Sequence, residues 1–303
     1  MNMNQMINEF IKFYASESEN TAKSYTRSVR EYIVFTMSYT DWSLDELIEQ
    51  SNKRNILMFV AMLNERGLSP YSVNVYTSGV ETFYKYLVEF DYREKENPVN
   101  NVRRQNTKGV KQKQEYLTEE EYKRLLSVVK VKVGKTKKFE FVSARDTLMF
   151  TLNLTIGLRV SETLSLTVEQ FKSDIITIKG KGDKLRSFRV NKEIRDCFNA
   201  YMRVRSQAFK VGQEDCGLLF VTISGNEMCT KDVNKNIKKY SERAKIDKDL
   251  SSHCLRRSCI TRYLDMGVPI QQVARLSGHS NCSTTMRYYK SDGTEFDFVD
   301  IGL

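Results

Sequence analysis

Residues 252–288 read SHCLRRSCITRYLDMGVPIQQVARLSGHSNCSTTMRY, and they say more about fold and function than any other stretch of the chain. They contain both histidines of the sequence, His253 and His279, together with Arg256 and the late tyrosine Tyr288. His253 and Arg256 are three residues apart, so they share one face at the start of a predicted helix. Backbone N–H groups at a helix start attract anions, and a histidine there can transfer a proton at neutral pH. Because a tyrosine can attack phosphorus as a nucleophile, the stretch predicts chemistry on a phosphate.

A second arginine lies far upstream, in the stretch TIGLRVSETL of residues 155–164. Gly157 ends a predicted buried helix over residues 143–156, and Arg159 follows it. Cleavage of a phosphodiester builds negative charge on the non-bridging oxygens, and two arginines from separate elements can clamp that charge. Each residue alone has an ordinary explanation: an arginine facing water, a histidine in a structural hydrogen bond, a tyrosine in the core. Their combination favours a protein that cleaves a phosphodiester and stays covalently attached to it.

Taken in order, these motifs resemble the tyrosine recombinases of the phage-integrase superfamily, the group of lambda integrase, Cre and the Xer proteins. Residues 155–164 match the first arginine box of the family. Residues 252–288 match the second box, with its H-x-L-R, L-x-G-H and T-T-x-x-Y elements. The resemblance is detailed in the catalytic part and extends to the first hundred residues only in their helical layout. It implies a site-specific recombinase that cuts and rejoins DNA through a 3′-phosphotyrosyl intermediate and a Holliday junction, to integrate, excise or resolve a mobile element, plasmid or chromosome dimer.

The resemblance also implies a role for each matching position. Arg159 and Arg256 would clamp the scissile phosphate. His253 would assist as acid or base, and His279 would hydrogen-bond the phosphate. Glu162 would support the other groups and hold them in the correct orientation.

Two assignments leave neighbours open as alternatives. Lys181, in a Gly-rich hairpin tip, would protonate the leaving 5′-oxygen, and Lys179 and Lys184 lie near enough to compete. Tyr288 would be the nucleophile, and Tyr289 competes with it. The position after the first strand favours Lys181, and the spacing from the second histidine favours Tyr288.

Charge and composition indicate a polyanionic partner. The 303 residues carry a net charge of +10, which favours nucleic acid first and an anionic membrane surface second. Residues 1–102 hold 10 Lys+Arg against 14 Asp+Glu, whereas the remainder holds 38 against 24, so the basic surplus lies with the reactive set. The start of the chain lacks a signal design and no apolar run is long enough to span a bilayer, so a cytoplasmic protein is expected.

The six cysteines form no C-x-x-C pair and are expected to be free thiols in a reducing cytosol. A zinc site is conceivable, but its candidate ligands match no common zinc spacing: His253, Cys254, Cys259, His279 and Cys282. The sequence therefore leads us to expect neither a metal nor a cofactor.

Periodicity predicts a mainly helical chain of two domains with a small β-hairpin in the second, and the basic stretch between them favours a two-domain DNA clamp. Residues 1–100 are predicted to form a helical domain, with one helix from Ser43 to Gly67 among its elements. The family resemblance implies that this is a core-binding, SAM-like domain. Residues 101–115 form a basic linker, and residues 116–303 form the catalytic domain. The hairpin strands are expected over 175–179 and 185–190, around the Gly-rich tip.

Further residues are predicted to contact DNA. Lys23, Arg27 and Arg30 share one helix face by their spacing of four and three residues, which suits phosphate or groove contacts. The next helix start and the basic linker add six candidates: Tyr71, Asn74, Arg103, Arg104, Lys108 and Lys111. The ordinary alternative for these groups is a solvated face or tether.

The family resemblance implies a double-stranded DNA core site and a homotetramer on two such sites. The tail, residues 291–303, carries too many apolar groups for a free end, and it is expected to dock on the next protomer rather than on its own domain. Two rival functions remain. One is a non-catalytic DNA-binding protein on a recombinase scaffold, and the other is a type IB topoisomerase or telomere resolvase.

Overall fold

The computed structural model describes residues 3–15, 19–107, 115–130, 136–180, 185–210, 212–278, 282–286 and 288. The chain divides into two compact units, Met1–Gln112 and Lys113–Leu303. The division falls inside the basic stretch that the sequence predicts as a linker. The tail of residues 291–303 lies outside the described residues.

The first unit is helical throughout its described elements: α1 (Met3–Ala15), α2 (Glu19–Thr40), α3 (Leu44–Gln50), α4 (Lys53–Glu65) and α5 (Pro70–Glu89). Its core is rich in aromatic side chains, with Tyr32 and Tyr84 fully buried at the centre. Helices α2 and α5 approach each other closely at Gly79, where an added Cβ would lie 2.6 Å from the Ser28 Cβ. A glycine at this crossing lets the two helices pack backbone against side chain.

The predicted helix from Ser43 to Gly67 is wrong as a single element, because the structure breaks it into α3 and α4. Asn52 caps α4, and the Asn55 side chain accepts from the Asn52 backbone N–H at 3.0 Å. The buried Arg93 donates to the Ser51 carbonyl at 2.9 Å. These side chains satisfy backbone groups that a continuous helix would pair internally, which makes the break stable.

The chain after α5 stays on the first unit as far as Gln105. Val99 and Val102 are buried in the core of this unit. Asn74 of α5 then binds the Gln105 backbone through both ends of its side-chain amide. The early part of the predicted linker is therefore fixed to the first unit.

The second unit contains eight described α-helices: α6 (Glu119–Lys130), α7 (Lys137–Ile156), α8 (Val160–Leu164), α9 (Lys192–Arg205), α10 (Thr230–Arg243), α11 (Ser252–Asp265), α12 (Ile270–Ser277) and α13 (Cys282–Met286). Two 3-10 turns lie at Glu169–Lys172 and Ser206–Ala208. Helix α7 is buried along most of its length and packs against α6, α9 and α11. It begins earlier than the sequence predicts, and it ends at Gly157 as predicted.

Strands β1 (Ile175–Lys179) and β2 (Leu185–Arg189) form the expected antiparallel hairpin. The register pairs Ile178 with Arg186 and Ile176 with Phe188. Ile176, Ile178 and Phe188 are buried, so this face of the hairpin points into the protein. The prediction of a mainly helical fold with a small hairpin is confirmed.

The end of α7 is held close to α11. Gly157 adopts a left-handed conformation (φ 68°), and an added Cβ there would lie 3.1 Å from the Cys259 Sγ of α11. This contact brings the residues that follow α7 beside the helix that starts at Ser252. Among the described helices, none is both long and apolar enough to cross a bilayer.

Candidate active site

The site is built around Glu162, a buried carboxylate in α8. Its Oε2 accepts the Arg159 backbone N–H at 2.7 Å, and its Oε1 accepts from the Arg159 guanidinium, also at 2.7 Å. A glutamate three residues after the N-cap of a helix is well placed to accept the backbone N–H of the N-cap residue, here Arg159. The local sequence thus fixes the Arg159 side chain against the start of its own helix.

Arg256 reaches the same carboxylate from α11. Its side chain is buried, and its Nη1 lies 3.8 Å from Glu162 Oε2. It donates to the Gly157 carbonyl at 2.6 Å and to the Ser277 carbonyl. The two arginines that the sequence singles out therefore meet at one point, although 97 positions separate them in the sequence.

Three consecutive carbonyls at the end of α12 accept from three different arginines. Arg186 donates to Leu276, Arg256 to Ser277, and Arg159 to Gly278 at 3.2 Å. Carbonyl groups at a helix C-terminus carry partial negative charge and lack partners within the helix, so guanidinium groups stabilise them. Gly278 takes the left-handed conformation (φ 64°), and an added Cβ there would lie 3.3 Å from the Arg186 Cδ. The helix end just before His279 is thus held in place by the arginines.

Arg186 is the site residue that the sequence reasoning missed. Its Nη2 donates to Glu162 Oε2 at 2.6 Å, and its side chain is 12% exposed. The signal was present in the alternation of β2, because Arg186 and Phe188 are two residues apart and point to the same face. A charged residue on the buried face of a strand needs a charged partner, and Glu162 was available.

The charges of the site are out of balance. Three guanidinium groups, those of Arg159, Arg186 and Arg256, surround a single carboxylate. Burial, and then repulsion from Arg159 and Arg186, lower the pKa of Arg256 to about 10. Burial also lowers the pKa of Arg186, although Glu162 opposes that change. The site therefore holds excess positive charge where water solvates it poorly, and a bound anion would neutralise that charge.

His253 lies at the start of α11, one turn before Arg256. Desolvation, followed by the positive charges of Arg257, Arg256 and Arg159, lowers its pKa below 6.5. The imidazole is therefore neutral at physiological pH and able to accept a proton.

Tyr288 lies against the same helix. It packs on the small apolar cluster formed by Ile260, Leu264 and Val273, and the Arg257 guanidinium lies 5.8 Å from the centre of its ring. Tyr288 therefore packs on α11, the helix that carries His253 and Arg256.

Three predicted residues, Lys181, His279 and the alternative nucleophile Tyr289, lie outside the described residues, and so does Lys184. The residues that precede two of them, Gly180 and Gly278, line one cavity of about 560 Å³. Other described residues around that cavity include Arg159, Glu162 and Arg186.

The predicted DNA-contacting residues of the first unit divide into two groups. Lys23, Arg27 and Arg30 are exposed on one face of α2. Tyr71, at the start of α5, is 44% exposed and shares a shallow groove with Arg27. These four side chains are accessible to a polyanion.

In the second group, Asn74 and Arg104 are tied to the protein by their own contacts. Asn74 uses both ends of its amide on the Gln105 backbone, and Arg104 forms an ion pair with Glu81. Arg103 is exposed. Lys108 and Lys111 lie outside the described residues.

A model of the phage integrase family matches residues 115–295, and a model of the phage integrase N-terminal SAM-like domain matches residues 4–94. The chain belongs to the phage integrase family. It is a tyrosine recombinase of that superfamily, as the sequence motifs predicted.

Similar tyrosine recombinases cover nearly the whole chain. Tyrosine recombinase XerC of Caldanaerobacter subterraneus subsp. tengcongensis is 28% identical over 312 residues, which cover 96% of this chain and 84% of that protein. Tyrosine recombinase XerA of Thermococcus kodakarensis is 30% identical over 293 residues, which cover 95% and 91% of the two chains.

Solved structures of a site-specific recombinase and a transposon integrase show the same fold. The XerH site-specific recombinase bound to difH substrate, a pre-cleavage complex, gives a TM-score of 0.71 at 18% identity, covering 95% of this chain and 82% of that one. The Tn1549 transposon integrase in complex with transposon right-end DNA gives 0.70 at 18% identity, covering 96% and 95%. Likeness at this level of identity concerns the fold alone.

Proposed function

We propose that this recombinase cleaves one DNA strand at a time at a specific site, with Tyr288 as the nucleophile and a 3′-phosphotyrosyl link as the intermediate. One observation carries the proposal. Arg159 and Arg256 meet at a single buried carboxylate with positive charge in excess, and Tyr288 packs on the helix that carries Arg256.

In the proposed step, the Tyr288 oxygen forms a bond to the scissile phosphorus while the bond from phosphorus to the 5′-oxygen breaks. Neutral His253 accepts the phenolic proton, and Lys181 gives a proton to the departing 5′-oxygen. Arg159 and Arg256 bind the non-bridging oxygens, whose negative charge grows in the transition state. The phosphotyrosyl ester conserves the energy of the broken bond, so a 5′-hydroxyl from a partner duplex can reverse the reaction and rejoin strands.

The test is covalent trapping on a nicked target site, from which the short 5′-hydroxyl fragment diffuses away after cleavage. Wild-type protein should accumulate a DNA adduct, and Tyr288→Phe should form none because it lacks the phenolic oxygen. Tyr289→Phe is the matched control, since it removes the same group from the adjacent position, and it should keep the adduct.

An adduct that persists in Tyr288→Phe and disappears in Tyr289→Phe would move the nucleophile by one position. Site-specific binding without an adduct under any condition would favour a non-catalytic DNA-binding protein. Relaxation of supercoiled plasmids that lack the site would favour a topoisomerase.

Both units are proposed to bind the duplex at the core site. The exposed Lys23, Arg27 and Arg30 support this for the first unit, since phosphate contacts of this kind give affinity without sequence information. The arginine site supports it for the second unit. Affinity should therefore fall steeply as salt concentration rises.

The active assembly is proposed to be a tetramer on two DNA sites, in which the tail of residues 291–303 docks on the neighbouring protomer. The apolar residues of the tail support this, since an apolar end needs a pocket to bury it. A chain ending at residue 290 should still form adducts at a single site but lose the complex of two sites in a gel-mobility assay. Retention of the two-site complex would contradict the exchange.

The proposed biological role is recombination at simple core sites. The similar proteins include Xer recombinases and a transposon integrase, so they leave open whether the partner DNA is chromosomal or mobile. Selection of bound DNA from a random pool, followed by comparison with the DNA that flanks the gene, would decide between these roles.

A further inference from the structure

Arg186 links three parts of the site, and none of the proposed catalytic steps uses it. It lies on β2, directly opposite Ile178. Its guanidinium donates to Glu162 of α8 at 2.6 Å and to the Leu276 carbonyl at the end of α12. One side chain therefore joins the hairpin, the helix that follows Arg159, and the helix that precedes His279.

The lone pairs of Glu162 explain why this matters. A carboxylate oxygen offers about two acceptor positions. On Oε2 these are taken by the Arg159 backbone N–H and by Arg186. Arg256 Nη1 lies 3.8 Å from the same oxygen, too far for a hydrogen bond. With Arg186 in place, Arg256 is close to the carboxylate without being bound by it.

Loss of Arg186 would change both the position of Arg256 and the net charge of the arginine cluster. It would open an acceptor position on Oε2, and Arg256 Nη1 lies 3.8 Å from that oxygen. It would also reduce the excess positive charge of the cluster from two to one, because the carboxylate would then face only two guanidinium groups. Either change weakens the attraction of the site for a phosphate whose charge grows in the transition state.

The Arg186 guanidinium is also only partly satisfied by hydrogen bonds. Its Nε is buried and has no hydrogen-bond partner among the described residues. Leaving a buried donor unpaired is costly, and such exceptions mark places where function constrains a side chain. Arg186 and Arg159 line the same cavity, so the Arg186 side chain lies next to the space beside the proposed phosphate clamp.

We propose that Arg186 is a positioning residue for strand cleavage: by occupying Glu162 Oε2 and the Leu276 carbonyl, it keeps Arg256, the partner of Arg159 in the proposed phosphate clamp, from binding the carboxylate. This inference rests on the proposed function, since it assumes that these two arginines bind the scissile phosphate. Arg186 itself need not touch the DNA.

The experiment measures single-turnover adduct formation on the nicked site with three variants. Arg186→Gln removes the charge and should lower the rate about 100-fold, the loss typical when one preorganised electrostatic contact is removed. Arg186→Lys keeps the charge but cannot span both acceptors, so its rate should lie between those of Arg186→Gln and wild type. Arg189→Gln is the matched control, because it removes the same charge from an exposed position on the same strand, and it should react like wild type.

Two modified substrates separate positioning of the phosphate clamp from other causes. A methylphosphonate at the scissile position lacks one negative oxygen and needs less clamping, so the defect of Arg186→Gln should shrink to less than about 10-fold. A sulfur in place of the bridging 5′-oxygen leaves without protonation, so it should rescue Lys181→Ala and fail to rescue Arg186→Gln.

Several results would overturn the inference. A rate for Arg186→Gln within about threefold of wild type would do so. An equal defect on the methylphosphonate and phosphodiester substrates would show a general loss of structure instead. Rescue of Arg186→Gln by the sulfur substrate would assign Arg186 to proton delivery. Failure of the proposed function itself is distinguishable, because wild-type protein would then form no adduct, or Tyr288→Phe would keep it.

Discussion

Replacement of Glu162 by glutamine should destabilise the second unit and, at the same time, strengthen its binding of anions. Glu162 is 4% exposed and accepts three hydrogen bonds, of 2.6 to 2.7 Å, from Arg159 and Arg186. A glutamine amide has one acceptor oxygen, and its NH2 group would point at guanidinium donors. Three buried or half-buried cations would then lack a compensating charge.

The size of the effect follows from these contacts. Breaking a buried ion pair by removing one partner costs about 3–5 kcal/mol, because the other charge is left uncompensated. For a unit of this size, 1 kcal/mol shifts the melting temperature by roughly 2–4 °C, so a decrease of roughly 6–20 °C is expected. The matched control is Glu169→Gln, whose carboxylate is 75% exposed and pairs with Lys172, and it should cost less than about 1 kcal/mol.

The assay is thermal unfolding of the full chain, in chloride and in inorganic phosphate at matched ionic strength. Phosphate should stabilise Glu162→Gln more than wild type, since the site gains a positive charge when the carboxylate is lost. A melting temperature for Glu162→Gln equal to wild type would refute the view that Glu162 holds the arginines together. A smaller phosphate shift in the variant than in wild type would refute the electrostatic account of the pocket.

Three further outcomes are expected from the structure. Gly278→Ala should lower adduct formation and stability, because a positive φ is unfavourable for alanine and the added Cβ would crowd Arg186 at 3.3 Å. Normal activity in this variant would contradict the view that the end of α12 must pack closely against Arg186. The pKa of His253 is lowered from 6.5 by desolvation and neighbouring arginines, so the unfolded chain binds its proton more readily and the free energy of unfolding should fall as pH drops through about 6.5. In urea titrations at several pH values, His253→Gln should remove this part of the dependence of the free energy of unfolding on pH. An unchanged dependence would assign it to another titratable group. Arg27→Gln should weaken DNA binding and reduce the slope of log affinity against log salt by about 0.9, whereas Lys53→Gln on α4 should leave both unchanged if the α2 face carries the contact.

The sequence predicted the elements of the fold well where local signals were strong. The hairpin was placed correctly because two short β-type runs flank a Gly-rich tip. The helix that ends at Gly157 was found because a left-handed glycine is a common stop signal. The break between α3 and α4 was missed, although Asn52 and Asn55 form a local cap there; its other support is Arg93, more than 40 residues away, which binds the carbonyl of Ser51. A contact of that range leaves no trace in local periodicity.

The site shows the same division between local and distant causes. Arg159, Arg256 and Glu162 could be singled out because each lies in a short motif with a recognisable spacing. Nothing in those motifs showed that Arg256 would bind the Gly157 carbonyl, or that both arginines would meet at one carboxylate. That meeting is produced by the approach of α7 to α11, which depends on the close contact between Gly157 and Cys259.

Arg186 shows why a motif-based view of the site is incomplete. Motifs identify residues that could touch the substrate, whereas a residue that holds those groups in place needs only the right neighbours in space. Glu162 binds Arg159 directly, and it can do so without also binding Arg256 only if a third cation occupies the remaining acceptor position of Oε2. The carboxylate of the first arginine box therefore requires a buried positive charge from another element, and β2, which runs beside α12, provides it. By this reasoning, the charge balance around Glu162 determines how strongly the site attracts a phosphate, and the proposed roles of Arg159 and Arg256 depend on that balance.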